Sequence, residues 1–280
     1  MYLVGVGLAF LLTLTKVIDT LLNKKIVISG DPIKHSMNRI IIVMPILLVF
    51  ALGNWHLERE AWWWILFYSL FECFNILFHQ SSLKYLKAYT ADVISKSKVI
   101  MVLIISIGLG VSSFNWYVVI GTFIFFFGLI LILDRFKSLE EKKSNFLGIV
   151  LQTLSVMCRS AKPFIIKMIL MDQLASNEVV VFLSMPISLV IIWFVFRRKP
   201  SINKGNFKLY IYQGFFVAAS MLLMGYAVLY SSEITVSVIE AFSGGLLFIH
   251  SVVFLKEKSN IKRTVGVILS ILGLILIVVF

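Results

Sequence analysis

Ten stretches of this chain are each apolar enough, and about long enough, to cross a bilayer as a helix, and little is left between them. A spanning helix needs roughly 20 mostly apolar residues. Windows of that order run Met1–Leu22, Met37–Leu52, Ala61–Gln80, Ala91–Val111, Trp116–Leu133, Phe146–Met168, Ser176–Phe196, Phe207–Tyr230, Ile234–Leu255 and Arg263–Phe280. Turn signals separate them, among them Gly30-Asp31-Pro32, Ser112-Ser113-Phe114-Asn115 and Lys199-Pro200. The first window is too long for a signal-peptide core and has neither a basic leader nor a small-residue cleavage site, so it reads as a retained helix. Composition agrees: 60% of residues are hydrophobic and 14% charged, against about 45–50% and 25% in soluble domains. The expected fold class is an all-α multi-pass membrane protein that works within the bilayer.

The net charge of +12 could suggest nucleic acid, but its distribution argues for topology instead. The odd-numbered loops carry nineteen lysines and arginines, Arg39 counted with the first of them, whereas the even-numbered loops hold only Arg59 and Lys167. Basic loops stay in the cytoplasm, so the odd loops are expected there and both termini outside. Trp62, Trp63 and Trp64 then enter the third span at the outer interface, where indole rings favour the headgroup layer.

The chain repeats itself. Residues 121–132 read GTFIFFFGLILI and residues 266–277 read GVILSILGLILI; the same register pairs Asn115 with Asn260 and Thr90 with Thr235. Met44-Pro45 in the second span matches Met185-Pro186 in the seventh, and these prolines are expected to kink their helices at related heights. Two five-span halves follow, residues 1–133 and 146–280, joined by a cytoplasmic linker at 134–145. Five is odd, so the second half enters the membrane upside down. Such inverted-topology repeats recur in secondary transporters, with the site between the halves.

The turn Phe254-Leu255-Lys256-Glu257-Lys258 followed by Gly266 and Gly273, together with the five-plus-five layout, resembles the drug/metabolite transporter (DMT) superfamily and in particular its ten-helix EamA-like members. Ser112 stands where Glu257 stands in the second half, and the glutamate reads as a structural cap. The resemblance implies a carrier that moves small organic solutes by alternating access.

Ionisable groups at mid-bilayer cost roughly 2.5–3.5 kcal/mol on insertion scales, so each needs a reason. Outside the loops the chain keeps Lys16, Lys96, Lys98, Arg159 and Lys162 with Asp19, Glu72, Asp92 and Glu240. They fall into helically spaced stripes: Thr13, Lys16, Thr20 and Asn23; Tyr68, Glu72, Asn75 and His79; Gln152, Ser155, Arg159 and Lys162; Ser237, Glu240, Ser243 or Gly244, and Ser251; with Gln213 and Ser220 on the eighth span. These stripes predict a polar cavity walled by spans one, three, six, eight and nine, with spans five and ten outside against lipid or a second copy. Candidate substrate or coupling residues are Glu72, Arg159, Lys16, Tyr68, Asn75, Gln152, Ser155, Gln213 and Glu240. In the functional reading, Glu72 receives a cationic group or a coupling proton, and Arg159 and Lys16 receive a carboxylate or phosphate. Replacing Glu72 with glutamine is then expected to abolish coupled uptake and leave folding intact. In the structural reading, Glu72 and Arg159 pair with each other and hold spans three and six together. Lys96 and Lys98 lie within two turns of the cytoplasmic end and are expected to snorkel there, while Glu240 is expected toward the outer end. Phe67, Tyr68, Phe71 and Phe74 around Glu72 would suit an ammonium ligand. The glycine pairs Gly121/Gly128 and Gly266/Gly273 are expected to permit close helix approach.

Other chemistries find little support. Four histidines are dispersed without metal-ligand spacing, Gly5-Val6-Gly7 lacks a dinucleotide context, and there is no P-loop, so no cofactor or metal is expected. Cys73 and Cys158 sit in apolar runs and imply no disulfide framework. The expected function is an alternating-access secondary transporter, not an enzyme, carrying an amino acid, amine or related small polar solute across the cytoplasmic membrane. A coupling proton or counter-substrate and a second copy of the chain are admissible partners, and nucleic acid is not. Two alternatives stay open: carriage of nucleotide sugars or phosphorylated anions, and a membrane enzyme or scaffold acting on lipid-linked intermediates.

Overall fold

The apolar windows fold into helices, and local chemistry sets several of their ends. At Gly30-Asp31-Pro32, Asp31 caps a helix by accepting from the Ile33 amide at 3.0 Å, and Pro32 takes the first helical position, where its missing N–H costs nothing. Arg197 ends another helix in the left-handed region at φ 48°. The computed structural model describes residues 1–27, 31–86, 91, 94–110, 116–132, 139–200, 207–241, 243, 246 and 261–279. In chain order the helices are α1 (Tyr2–Val27), α2 (Pro32–Gly53), α3 (Ala61–Tyr85), α4 (Lys98–Gly108), α5 (Trp116–Ile132), α6 (Leu139–Met171), α7 (Asn177–Phe196), α8 (Phe207–Tyr230), α9 (Glu233–Ala241) and α10 (Ile261–Val279). The turns at Gly30, at 112–115 and at 254–258, with Asp92, Gly244 and Ser251, lie outside the described residues.

Six of these helices, α1, α2, α3, α6, α7 and α8, are long and apolar enough to cross a membrane by themselves. In the fourth window Ala91, Ile94 and Ser95 are helical and α4 runs from Lys98, and in the ninth Ser243 and Leu246 are helical beyond α9. The fourth window is broken because Ser97 and Val99 donate to the carbonyls of Ile94 and Lys96, at 3.0 and 3.2 Å, a three-residue spacing that tightens the chain ahead of α4. At the other extreme α6 is helical from Leu139, seven residues before its apolar run, within the segment read as a linker.

The principal helix pairings are unchanged when each helix is exchanged with the one five places along. α3 packs on α6 as α1 packs on α8, α3 on α7 as α2 on α8, and α4 on α6 as α1 on α9, while α2–α7, α4–α9 and α5–α10 pair with their own counterparts. The main core lies where α2, α3, α7 and α8 meet, around Leu47, Ile65, Tyr68, Met185 and Val217. Buried hydroxyls in these apolar helices turn back on carbonyls one turn earlier, as Ser69 does on Ile65 and Ser160 on Val156, which satisfies them without water. Others tie helices together: Thr13 also donates to the Ile239 carbonyl at 3.1 Å, and Ser188 to that of Ser69 at 3.0 Å. Pro45 and Pro186 lie inside the paired helices α2 and α7, and Pro163 inside α6.

α5 and α10 touch through glycines. A Cβ built on Gly273 would stand 2.5 Å from the Gly121 carbonyl oxygen and the Phe125 amide, and one on Gly128 would stand 2.6 Å from the Gly266 oxygen. These neighbours are backbone and cannot swing aside. Gly273→Ala is therefore expected to part the helices and lower stability by about 1–3 kcal/mol. Gly7→Ala, where a Cβ meets nothing within 4 Å, is expected to leave the melting temperature of the detergent-purified chain unchanged or slightly raised. Equal losses in both variants would remove close packing as the role of Gly273. The outward faces of this pair, with Trp116, Phe123 and Phe127 on α5 and Ile261, Ile268 and Leu272 on α10, are exposed and apolar.

Candidate functional site

Polar residues that the helices turn away from their apolar faces collect around one cavity of about 130 Å³. Among the described residues six cationic side chains line it (Lys16, Arg39, Lys96, Lys98, Arg159 and Lys162) against three carboxylates, Asp19, Glu72 and Glu240. A charge in so dry a setting must be paired or reached by water. Both conditions hold: Arg159 and Lys16 keep side-chain exposures of 25% and 18%, and the carboxylates are fully engaged.

Three ion clusters organise the wall. Glu240 on α9 accepts from Lys16 of α1 at 2.7 Å, from Lys98 of α4 at 2.9 Å and from Arg159 of α6. Glu72 on α3 accepts from Lys162 of α6 and from Asn75 at 3.5 Å. Asp19 on α1 accepts from Arg39 of α2 at 3.0 Å and from Gln213 of α8 at 3.1 Å. Lys96 donates to Ser243. Each cluster ties together helices from both halves of the chain.

Of the residues singled out from the sequence, Lys16, Glu72, Asn75, Arg159 and Glu240 line the cavity. Four stand behind it. Ser155 donates to the Asn75 side chain at 3.0 Å. Gln152 takes Ser82 at 2.5 Å, meets His79 at 3.1 Å and donates to Ser95 at 2.6 Å. Gln213 holds Asp19, and Tyr68 is wholly buried with its ring 5.2 Å from the Lys162 ammonium.

Several expectations change. Glu72 and Arg159 do not pair with each other; a turn apart on α6, Lys162 and Arg159 reach different carboxylates. The ammonium beside Glu72 and Tyr68 is the chain's own Lys162, while Phe67 and Phe74 are exposed on the outer surface. Lys98 does not snorkel: it is buried and bound to Glu240, which sits within the cavity instead of toward the outer end. The break before α4 explains both lysines, since residues two apart on an unbroken helix face nearly opposite ways. That spacing is the signal that could have revealed them. Arg39, counted with the basic charges of the first loop although it lies at the edge of the second window, lines the cavity and pairs with Asp19 of α1. Walls are therefore supplied by α2 and α4 as well as by the five helices expected.

The cavity residues on α1 and α2 lie toward the helix ends next to the basic loops, whereas those on α6 and α8 lie at mid-helix or toward the opposite ends. At the opposite ends the α2–α3 and α6–α7 connections join. The Glu58 amide donates to Leu174 at 2.7 Å and that of Ser176 to His56 at 3.0 Å, flanking an antiparallel bridge of Leu57 with Ala175. The His56 ring meets the Gln173 carbonyl at 2.7 Å, and the Ser176 hydroxyl that of Asn54 at 2.6 Å. Below this seam Lys167 pairs with Glu233 at 3.1 Å, and Glu178 accepts from Tyr226 and Asn54.

Apolar helices enclosing a charged, solvent-reached cavity define a multi-pass membrane protein with an internal polar site. The chain belongs to the EamA-like transporter family, whose family model matches it twice, over residues 3–134 and 146–279; this is a family of membrane transporters in the DMT superfamily. No curated protein matches the sequence. A crystal structure of a protein resembles it with a TM-score of 0.74 at 13% identity, over 98% of this chain and 96% of that one. At that identity the likeness is one of fold.

Proposed function

We propose that this chain is a ten-helix, alternating-access secondary transporter of the cytoplasmic membrane, built as two inverted five-helix halves with both termini outside, and that it carries a small polar organic solute. The observation that carries the reading is a charged cavity lined by helices of both halves, with the α2–α3 and α6–α7 connections joined by a backbone seam at the ends away from the basic loops. A carrier at one end of its cycle needs such an arrangement. Exchange symmetry of the helix pairings supports the repeat, since two like halves can trade conformations and open the other end. By the charge bias of the loops the cavity faces the cytoplasm.

Arg159 and Lys16, with Lys98, are the groups placed for an anionic part of the solute, and the Glu72–Lys162 pair for coupling. The amine reading loses its receptor, because Lys162 already fills the Glu72–Tyr68 position. A cavity of about 130 Å³ is small beside the ~300–1,000 Å³ of pockets for drug-sized ligands, which favours a small metabolite over a nucleotide sugar. A thermal-shift screen of a metabolite library, followed by counterflow of each hit in proteoliposomes, tests the reading; a chain that exchanges no stabilising solute refutes it.

Orientation has its own test. In a chain lacking Cys73 and Cys158, a cysteine replacing Thr20, which lines the cavity, is expected to react with a membrane-impermeant maleimide added on the cytoplasmic face and to be protected from the outer face. Faster labelling from outside would reverse the assigned topology.

A further inference from the structure

The charges of the cavity are matched unevenly, and the imbalance has an address. Arg39 meets Asp19 and Lys162 meets Glu72, one cation to one carboxylate. Glu240 alone takes three, Lys16, Lys98 and Arg159, so two positive charges in excess are concentrated there, with like charges crowded in a low-dielectric setting. Ser237, one turn earlier on α9, also lines the cavity, and among the described residues its buried hydroxyl has no hydrogen-bond partner. A buried hydroxyl is normally satisfied, and this one is placed to donate to an incoming oxygen. An apolar part of the wall comes from Val217, Met221 and Met224 of α8, which offer carbon contacts beside Ser220 and no charge.

We infer that the cavity binds a small organic dianion, a dicarboxylate or a phosphate monoester, whose two negative charges match the surplus at Lys16, Lys98 and Arg159 while its carbon skeleton lies against Val217, Met221 and Met224. The inference names the substrate class of the transporter proposed above and rests on that reading. Glu240 acts as the resident counter-ion: it holds the three cations while the cavity is empty and shares them when the solute arrives. Carboxylate and phosphate use the same charge-assisted contacts, with the Arg159 guanidinium able to offer two parallel N–H donors.

The test uses the full chain purified in detergent and calorimetric titration at constant ionic strength, with succinate and glycerol 3-phosphate as dianions and alanine and choline as comparators. Each solute is also offered in counterflow. Binding and exchange of a dianion, with alanine and choline inert, support the inference, and the better probe distinguishes a dicarboxylate from a phosphate ester. Arg159→Gln is expected to weaken that binding on the order of tenfold or more. Glu240→Gln removes the competing carboxylate and is expected to tighten it on the order of tenfold, an outcome that misfolding cannot imitate. Dianion affinity unchanged in both variants overturns the site. Exchange of alanine or choline with neither dianion bound overturns the substrate class and leaves transport standing. A bound dianion with no solute exchanged overturns transport and leaves the anion site.

Discussion

Glu240→Gln is expected to lower stability by about 3–5 kcal/mol and to stall transport without abolishing solute binding. The carboxylate is nearly inaccessible and is the common acceptor of Lys16, Lys98 and Arg159. A neutral amide of the same shape leaves three cations facing one another with nothing to screen them. Removing a charge from a buried cluster is far more damaging than the net worth of the cluster suggests, because the partners left behind keep their desolvation cost. Adding Lys98→Met to the glutamine variant removes the least exposed of the three cations and is expected to recover part of the loss. Transport is affected by a separate route. A bound anion leaves readily when a resident carboxylate reclaims its cations, and without Glu240 release slows. Chemical denaturation gives the first effect and single-turnover counterflow the second; a variant that melts like the parent and turns over at its rate would remove Glu240 from both roles.

Glu72→Gln is the second large effect. Lys162 is 7% exposed, with Glu72 as its ionic partner and the Tyr68 ring as its other contact. The glutamine variant therefore strands a buried ammonium, at about 3–5 kcal/mol, and folding does not stay intact as the sequence alone suggests. The paired change Glu72→Gln with Lys162→Met is expected to restore most of the melting temperature, giving a clear coupling energy in a double-mutant cycle. Uptake driven by a proton gradient is expected to be lost in both the single and the paired variants. Full pH-dependent uptake in the stable paired variant would show that coupling lies elsewhere.

The bilayer makes the fold of such a chain unusually legible. Hydrocarbon demands long apolar helices, so the ends of α2, α3, α7 and α8 follow from apolar runs, prolines and caps. The cavity residues on α1, α3, α6 and α9 are legible for the same reason, as polar positions at helical spacing in apolar surroundings. Partner choice was not. Lys162 and Arg159 are both long cations on one helix, and which reaches Glu72 depends on how α3, α6 and α9 pack, a matter of ångströms that one-dimensional spacing does not hold. Lys98 was misread because a broken helix looks continuous in a hydropathy window. Arg39 was misread because a charge at the edge of an apolar run looks like a loop residue until its carboxylate, Asp19, is found on a neighbouring helix.

The junction of residues 54–58 with 172–176 rests largely on amide and carbonyl groups. Each such bond contributes only about 0.5–1.5 kcal/mol net, since water offers an equivalent partner, and these groups lie where the helices end. Undoing these bonds is therefore close to an even trade, one bond at a time, and the apolar cost of parting falls on Leu57, Leu174 and Ala175, which pack on the main core. The side chains that add to it, His56 on the Gln173 carbonyl and Ser176 on that of Asn54, then set how tightly the two connections hold.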